Sequence, residues 1–285
     1  MKKTGTKLFA IAMIAALSIA MLAGCGNGGS GGGSYSDLMI VPNLNLAEEE
    51  YAVAFRVGSD AVPEVNDIIK ALNDDGTLGT IAKKYDLDAT LMTSEAMQLG
   101  FVDMARTVPG DLTAIKNKGT LNIGITLFAP MNYYDENGKL IGFDTEFAQA
   151  VCEKLGVTPN FIEINWDTKE IELAAGNIDC IWNGLTVTED RRQNMEFTVP
   201  YIFNKQVIII RKADADKFKT IDDFANAKLT AEISSAGETA IQDDPVLSKA
   251  PYTAMQKQTD TLLEVKSGTA DAAVLDYTAA NSLVG

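Results

Sequence analysis

Histidine is absent from this chain of 285 residues. The commonest general base and the commonest metal ligand are therefore missing, and any proton-transfer chemistry would fall to carboxylates. Positive charge is scarce: 24 Lys and Arg stand against 39 Asp and Glu, a formal net charge of −15 at pH 7. Such an acidic surface argues against nucleic acid or anionic lipid as a partner. It does not exclude an anionic or zwitterionic ligand, because a single arginine at contact distance overrides the net field. Cysteine is limited to Cys25, Cys152 and Cys180. The last two sit inside apolar patterns and read as buried thiols in preference to a disulfide, which an oxidising compartment would permit. The apolar run from Leu8 to Leu22 is shorter than the roughly 20 residues of a membrane-spanning helix.

That run has another use. Lys2, Lys3 and Lys7 precede it and Leu22-Ala23-Gly24-Cys25 closes it, the pattern of a signal peptide ending in a lipobox. Residues 1–24 are expected to be the leader, with Cys25 as the lipid-modified first residue of the mature protein. Residues 25–34, Gly- and Ser-rich, bury no apolar surface and read as a flexible tether. The expected location is extracytoplasmic, lipid-anchored to the outer face of the cell membrane. Loss of three lysines and no acid with the leader carries the formal charge to −18.

The most informative stretch runs from Ile178 to Tyr201. An apolar run (Ile178, Cys180, Ile181, Trp182) gives way to Asn183-Gly184, then to Thr186 and Thr188, then to Glu189-Asp190-Arg191-Arg192, as when a strand passes through a loop into a helix start. Unpaired backbone N–H groups, a glycine that admits a ligand, a threonine hydroxyl and an arginine fork together suit a carboxylate. The same residues also fit a plain N-cap with a solvated first turn. Elsewhere Glu50 to Arg56 alternates as a strand, Pro63 is expected at the first position of a helix carrying Val65, Ile68, Ile69 and Leu72, and Gly142-Phe143-Asp144 opens a helix that Gly156 ends. Strand–helix alternation implies α/β architecture with largely parallel sheets.

Ile178 to Tyr201, with Trp166-Asp167, Leu173-Ala174-Ala175-Gly176-Asn177 and Phe197-Thr198-Val199-Pro200-Tyr201 around it, resembles the polar amino-acid family (family 3) of bacterial extracytoplasmic solute-binding proteins. Tyr51 to Leu87 is similar to that family's C-terminal block, with Ala54-Phe55-Arg56, Leu72-Asn73-Asp74-Asp75-Gly76-Thr77-Leu78 and Ile81-Ala82-Lys83-Lys84-Tyr85, whereas Asp111 to Ile125 is similar to its mature start. The order is thus reversed, and joining Gly285 to Tyr35 restores it. The resemblance implies a circularly permuted, two-lobe periplasmic-binding-protein-like fold of type II: 58–92 plus 111–203 in lobe 1, 35–57 plus 204–285 in lobe 2, and 93–110 as connector.

By the same resemblance, the ligand is a free polar or small amino acid held in the interlobe cleft and delivered to the permease subunits of an ABC importer, with no cofactor, metal or catalytic residue. Arg191, Thr186, Ser235 and Ala236 are expected at its carboxylate, Asp276 and Gly184 at its ammonium, and Phe128, Tyr133, Trp166 and Asn183 around its side chain. Ser234 stands where the family commonly has Gly. Two other uses share the fold: a sensory or engineered reporter module, and a dehydratase-type enzyme, the latter disfavoured because no paired carboxylates stand at a suggestive spacing.

Overall fold

The computed structural model describes residues 35–97 and 109–284. The expected leader, Cys25 and the tether lie outside them, as does most of the connector. In chain order the strands and helices are β1 (Leu38–Tyr51), β2 (Ala54–Arg56), α1 (Ala61–Asp74), α2 (Thr77–Lys84), α3 (Ser94–Met97), α4 (Asp111–Lys118), β3 (Thr120–Ile125), β4 (Tyr133–Tyr134), β5 (Leu140–Ile141), α5 (Phe143–Leu155), β6 (Thr158–Glu163), α6 (Lys169–Ala174), β7 (Cys180–Ile181), α7 (Glu189–Asn194), β8 (Met195–Phe197), β9 (Ile202–Arg211), β10 (Leu229–Glu232), α8 (Ala236–Asp243), β11 (Tyr252–Met255), α9 (Gln258–Ser267), β12 (Ala272–Asp276) and α10 (Tyr277–Leu283).

Two five-stranded sheets result, β6-β3-β7-β2-β8 in lobe 1 and β1-β9-β12-β10-β11 in lobe 2. Within them β3 runs parallel to β6 and β7, and β10 runs parallel to β11 and β12. Central strands are apolar without alternation: every residue of β12 is buried, as are Val207 to Ile210 of β9. Such strands need cover on both faces. In lobe 1 the cover includes α1, α2 and α5. On α1 the stripe Val62, Val65, Ile68, Ile69, Leu72 is buried, and on α5 it is Phe143, Phe147, Ala148, Val151, Cys152, Leu155, both at helical spacing. Phe147 meets Trp182 edge-on, centroids 5.0 Å apart. Cys152 and Cys180 are both buried and free.

Pro63 occupies the third position of α1 rather than the first, because the helix already starts at Ala61. Its missing N–H is still among the four that a helix start leaves unpaired. One lobe boundary also differs from expectation. Ala54–Arg56 pairs antiparallel with β7 and β8, so the chain enters lobe 1 before Ala54 and not after Val57. The strand read as Glu50 to Arg56 is in fact broken at Ala52-Val53, where the chain passes from one sheet to the other.

A second crossing, Thr198 to Tyr201, runs beside the first between β8 and β9. The two are stitched together. Thr198 N–H donates to the Val53 carbonyl at 2.9 Å, Val53 N–H donates to Thr198 Oγ1 at 3.0 Å, and Tyr201 N–H donates to the Tyr51 carbonyl at 2.9 Å. The described ends of the chain also meet: Tyr35 bridges Val284 and donates its N–H to the Leu283 carbonyl at 3.2 Å.

Candidate functional site

Parallel strands deliver their carboxyl ends to a common edge, where open α/β sheets place ligands. Thr126 follows β3, Trp182 to Thr186 follow β7, Glu232 ends β10 and Asp276 ends β12. Side chains at these ends wall one cavity together with Phe128, Trp166, Arg191, Ser235, Ala236 and Gln258. Its walls come from both lobes. A larger, open groove near Glu48, Arg192 and Lys205 contains neither Arg191 nor Asp276, so the enclosed cavity is the better candidate.

Arg191 sits on the first turn of α7, which Thr188 caps by accepting the Arg191 N–H at 3.2 Å. The cap is therefore present, but the Arg191 side chain on this first turn is buried rather than solvated. The residue is 8% exposed; Nη1 donates to the Thr186 carbonyl at 2.8 Å and Nη2 to the Ser234 carbonyl of lobe 2 at 3.1 Å. Burial weakens its hold on the proton, which the carboxylates around it partly restore. Lys169 from α6 joins the same carbonyl at 3.1 Å and donates to the Trp166 carbonyl, lying 4.7 Å from that ring's centroid. Burial, and then Arg191, lower its ammonium to about 8.

Ser234 adopts φ 58, the left-handed region that favours Gly, which accounts for the residue commonly found there. Ser235 Oγ accepts the Glu238 N–H at 3.1 Å, and Glu238 accepts the Ser234 N–H at 2.7 Å, fixing the start of α8. The hydroxyl proton of Ser235 stays free to donate.

Asp276 is 5% exposed and held by neutral donors, three on one oxygen and one on the other. Its Oδ1 accepts from Tyr51 Oη at 2.6 Å, Asn204 Nδ2 at 2.6 Å and Gln206 Nε2 at 3.0 Å, and its Oδ2 accepts from Gln258 Nε2. Asn204 and Gln206 donate to Glu49 as well, and burial together with the negative Asp276 pushes the Glu49 carboxyl up. Glu232 is likewise raised to about 8 by burial and by Asp276.

Gly184 has φ 54, and a Cβ there would lie 2.7 Å from the Phe128 ring. Its N–H donates to Asp144 Oδ2 at 2.6 Å. Asn183 is tied on every side, accepting from Thr126 Oγ1 at 2.7 Å and donating to the Thr126 carbonyl at 2.9 Å and to Asn132 Oδ1 at 2.7 Å. The Trp166 indole N–H is buried with no acceptor among the described residues.

The structure therefore brings Arg191, Thr186, Gly184, Phe128, Ser235, Ala236, Asn183, Trp166 and Asp276 to one cavity. Tyr133 is not among them, being held in the β4–β5 hairpin opposite Ile141. Thr126, Glu232 and Gln258 line the cavity without having been singled out, and Lys169 and Glu49, outside its lining, bond to groups beside it. A carboxylate closing the run Leu229-Thr230-Ala231 was the available signal for Glu232. Among the described residues no His, Cys, Asp and Glu group is arranged to hold a metal ion, and no helix is long and apolar enough to cross a membrane.

The sequence profile of the bacterial extracellular solute-binding proteins, family 3, matches residues 121–279. A curated relative, the L-cystine-binding protein TcyJ of Escherichia coli K12, is 31% identical over 121 residues, 42% of this chain and 46% of that protein. The chain thus spans about half the length of such a relative. Among solved structures, the arginine-bound form of truncated ArgBP from T. maritima is 31% identical with a TM-score of 0.56, over 61% of this chain and 85% of that one. The ancestral amino acid-binding protein AncCDT-1, described as a precursor of cyclohexadienyl dehydratase, is 32% identical with a TM-score of 0.56, over 59% and 74%.

Proposed function

Since the chain belongs to the bacterial extracellular solute-binding proteins, family 3, whose fold is the two-lobe α/β type II arrangement and whose members bind substrates rather than transform them, we propose that it holds a free amino acid in the interlobe cavity and delivers it to an ABC importer. The observation that carries this reading is that Arg191 of lobe 1 and Asp276 of lobe 2 wall the same enclosed cavity. A zwitterion satisfies both at once. Its carboxylate takes the Arg191 fork, the Thr186 hydroxyl, the Ser235 hydroxyl, the N–H of Ala236 and the Trp166 indole N–H. Its ammonium takes Asp276 and the Gly184 carbonyl, and Phe128 packs on the rest. Because the two charged partners belong to different lobes, the ligand stabilises the closed state more than the open one, the differential affinity that closure requires. What the relatives bind differs, cystine in one and arginine in another, so the side-chain preference has to be read from this cavity.

Titration calorimetry with the twenty amino acids, cystine and ornithine tests the reading. Binding of at least one, lost in both Arg191→Ala and Asp276→Ala while their unfolding stays cooperative, is the expected result. No binding to any of them would overturn it.

We also infer that the chain is circularly permuted and lipid-anchored through Cys25. Support for the first comes from the contact between Tyr35 and Val284, and from the fact that β1, β2, α1 and α2 complete both lobes yet fall outside the matched residues 121–279. A chain begun at Asp111, with residue 284 linked to residue 35, should fold and bind as this one does. For the anchor, the support is the lipobox sequence ending at Cys25. Incorporation of labelled fatty acid, abolished by Cys25→Ala, is its test.

A further inference from the structure

Glu232, 5% exposed, stands on the cavity wall at the end of β10. A buried carboxylate needs a counter-charge or a full set of donors. Its neighbour Asp276 has the donors. Glu232 has Gln258, whose amide is already shared with Asp276, and among the described residues it makes no ion pair. The cations nearby are engaged elsewhere: Arg191 with the Thr186 and Ser234 carbonyls, Lys169 with the Trp166 and Ser234 carbonyls. A second group also lacks a partner, the Trp166 indole N–H on the same wall. An occupant that completes this cavity must bring an acceptor for Trp166 and a positive donor for Glu232.

A zwitterion supplies only part of that. Its carboxylate answers Arg191 and Trp166, and its ammonium answers Asp276, leaving Glu232 unanswered. Among the residues that wall the cavity one cationic side chain, Arg191, stands with two carboxyl groups, Glu232 and Asp276. With all three ionised the wall carries one negative charge in excess, which a ligand of net charge +1 cancels.

We propose that the ligand is an amino acid whose side chain ends in a cation, amine or guanidinium, and that Glu232 is the residue that selects it. The inference rests on the amino-acid reading above. Glu232 acts by direct pairing with the side-chain cation, which leaves no buried carboxylate uncompensated once the lobes close. A neutral side chain would leave Glu232 either charged and unpaired or protonated.

The test compares cations with their neutral counterparts on the purified protein at pH 8: L-arginine against L-citrulline, and L-lysine and L-ornithine against L-glutamine, by titration calorimetry. At least one cationic ligand should bind ten- to a hundredfold more tightly than its neutral counterpart, the range expected of one charge-assisted hydrogen bond in a dry site. Glu232→Gln should bring that ratio close to one, mainly by weakening the cationic ligand, with citrulline or glutamine affinity kept or improved. Its unliganded unfolding temperature establishes that the variant folds, and the wild-type ratio is informative without it. Equal or tighter binding of the neutral ligands by the wild type, or an unchanged ratio in Glu232→Gln, overturns this inference and leaves the amino-acid reading standing. Absence of binding by every amino acid overturns both.

Discussion

The Lys169 ammonium of lobe 1 lies 3.1 Å from the Ser234 carbonyl oxygen of lobe 2, the same oxygen that Arg191 reaches. Two cations thus converge on one backbone carbonyl, across the gap that a ligand would have to enter. Opening the lobes breaks both contacts.

Lys169→Met should therefore favour the open state while preserving the packing of the stem against Trp166. One charged hydrogen bond set against the desolvation of a buried ammonium nets about 1 kcal/mol, so ligand affinity should fall roughly fivefold. Small-angle scattering should give a larger unliganded radius of gyration than in the parent. An unchanged radius and affinity would remove Lys169 from the closing contacts.

Gly184→Ala should damage both stability and binding. Its φ of 54 is costly for any residue with a Cβ, and that atom would sit 2.7 Å from Phe128 and 3.1 Å from Tyr51, both ring atoms in a packed wall. Strain and overpacking of this kind cost about 1–3 kcal/mol. Chemical denaturation should show that loss with an unchanged slope.

Affinity for a cationic ligand should rise with pH between about 6 and 8 and then level off. Glu232 is raised to about 8 in the empty site, so a cation must displace its proton. Asp276 and Asp260 raise it; Lys169 lowers it; Arg191 and Gln258 face it as well. Affinity then gains up to tenfold per pH unit below 8, and calorimetry in buffers of different ionisation enthalpy should detect up to one proton released at pH 7. Glu232→Gln should flatten the profile.

The stability of the unliganded fold has an opposite dependence through Asp144. Burial raises this carboxyl to about 7, although the Gly184 N–H and Tyr201 Oη donate to it and favour its charge. Unfolded, it titrates near 3.8. The folded chain thus holds an extra proton between those values: the contribution to stability is complete below about pH 4 and is lost as pH rises through 7. It amounts to a few kcal/mol at most. Asp144→Asn should reduce the slope of unfolding free energy against pH across that interval.

Arg191, Thr186 and Asp276 could be picked from the sequence because each interrupts a pattern: a charge after a turn, a hydroxyl after Asn-Gly, a carboxylate closing an apolar strand. Glu232 closes a strand in the same way, but Thr230 makes its run less apolar, and the carboxylate gains meaning only when β10 is laid beside β12. Lys169 begins a helix reading Lys-Glu-Ile-Glu, which looks like a solvated face; its burial depends on Trp166 and on a carbonyl 65 positions away. Tyr133, expected from the resemblance, is held in the β4–β5 hairpin and does not reach the cavity wall. The break at Ala52-Val53 was hidden for the opposite reason, since β1 and β2 share one alternating pattern although they belong to different sheets.

The stitching of the two crossing segments bears on how the molecule moves. Two independent linkers would let the lobes swivel, shear and rock. Crossings bonded to each other at Val53–Thr198 and Tyr51–Tyr201 are tied like the two leaves of one door pin, which favours a swing about the axis they share over sliding. An opening that keeps these bonds turns about the line they mark and parts Lys169 and Arg191 from the Ser234 carbonyl.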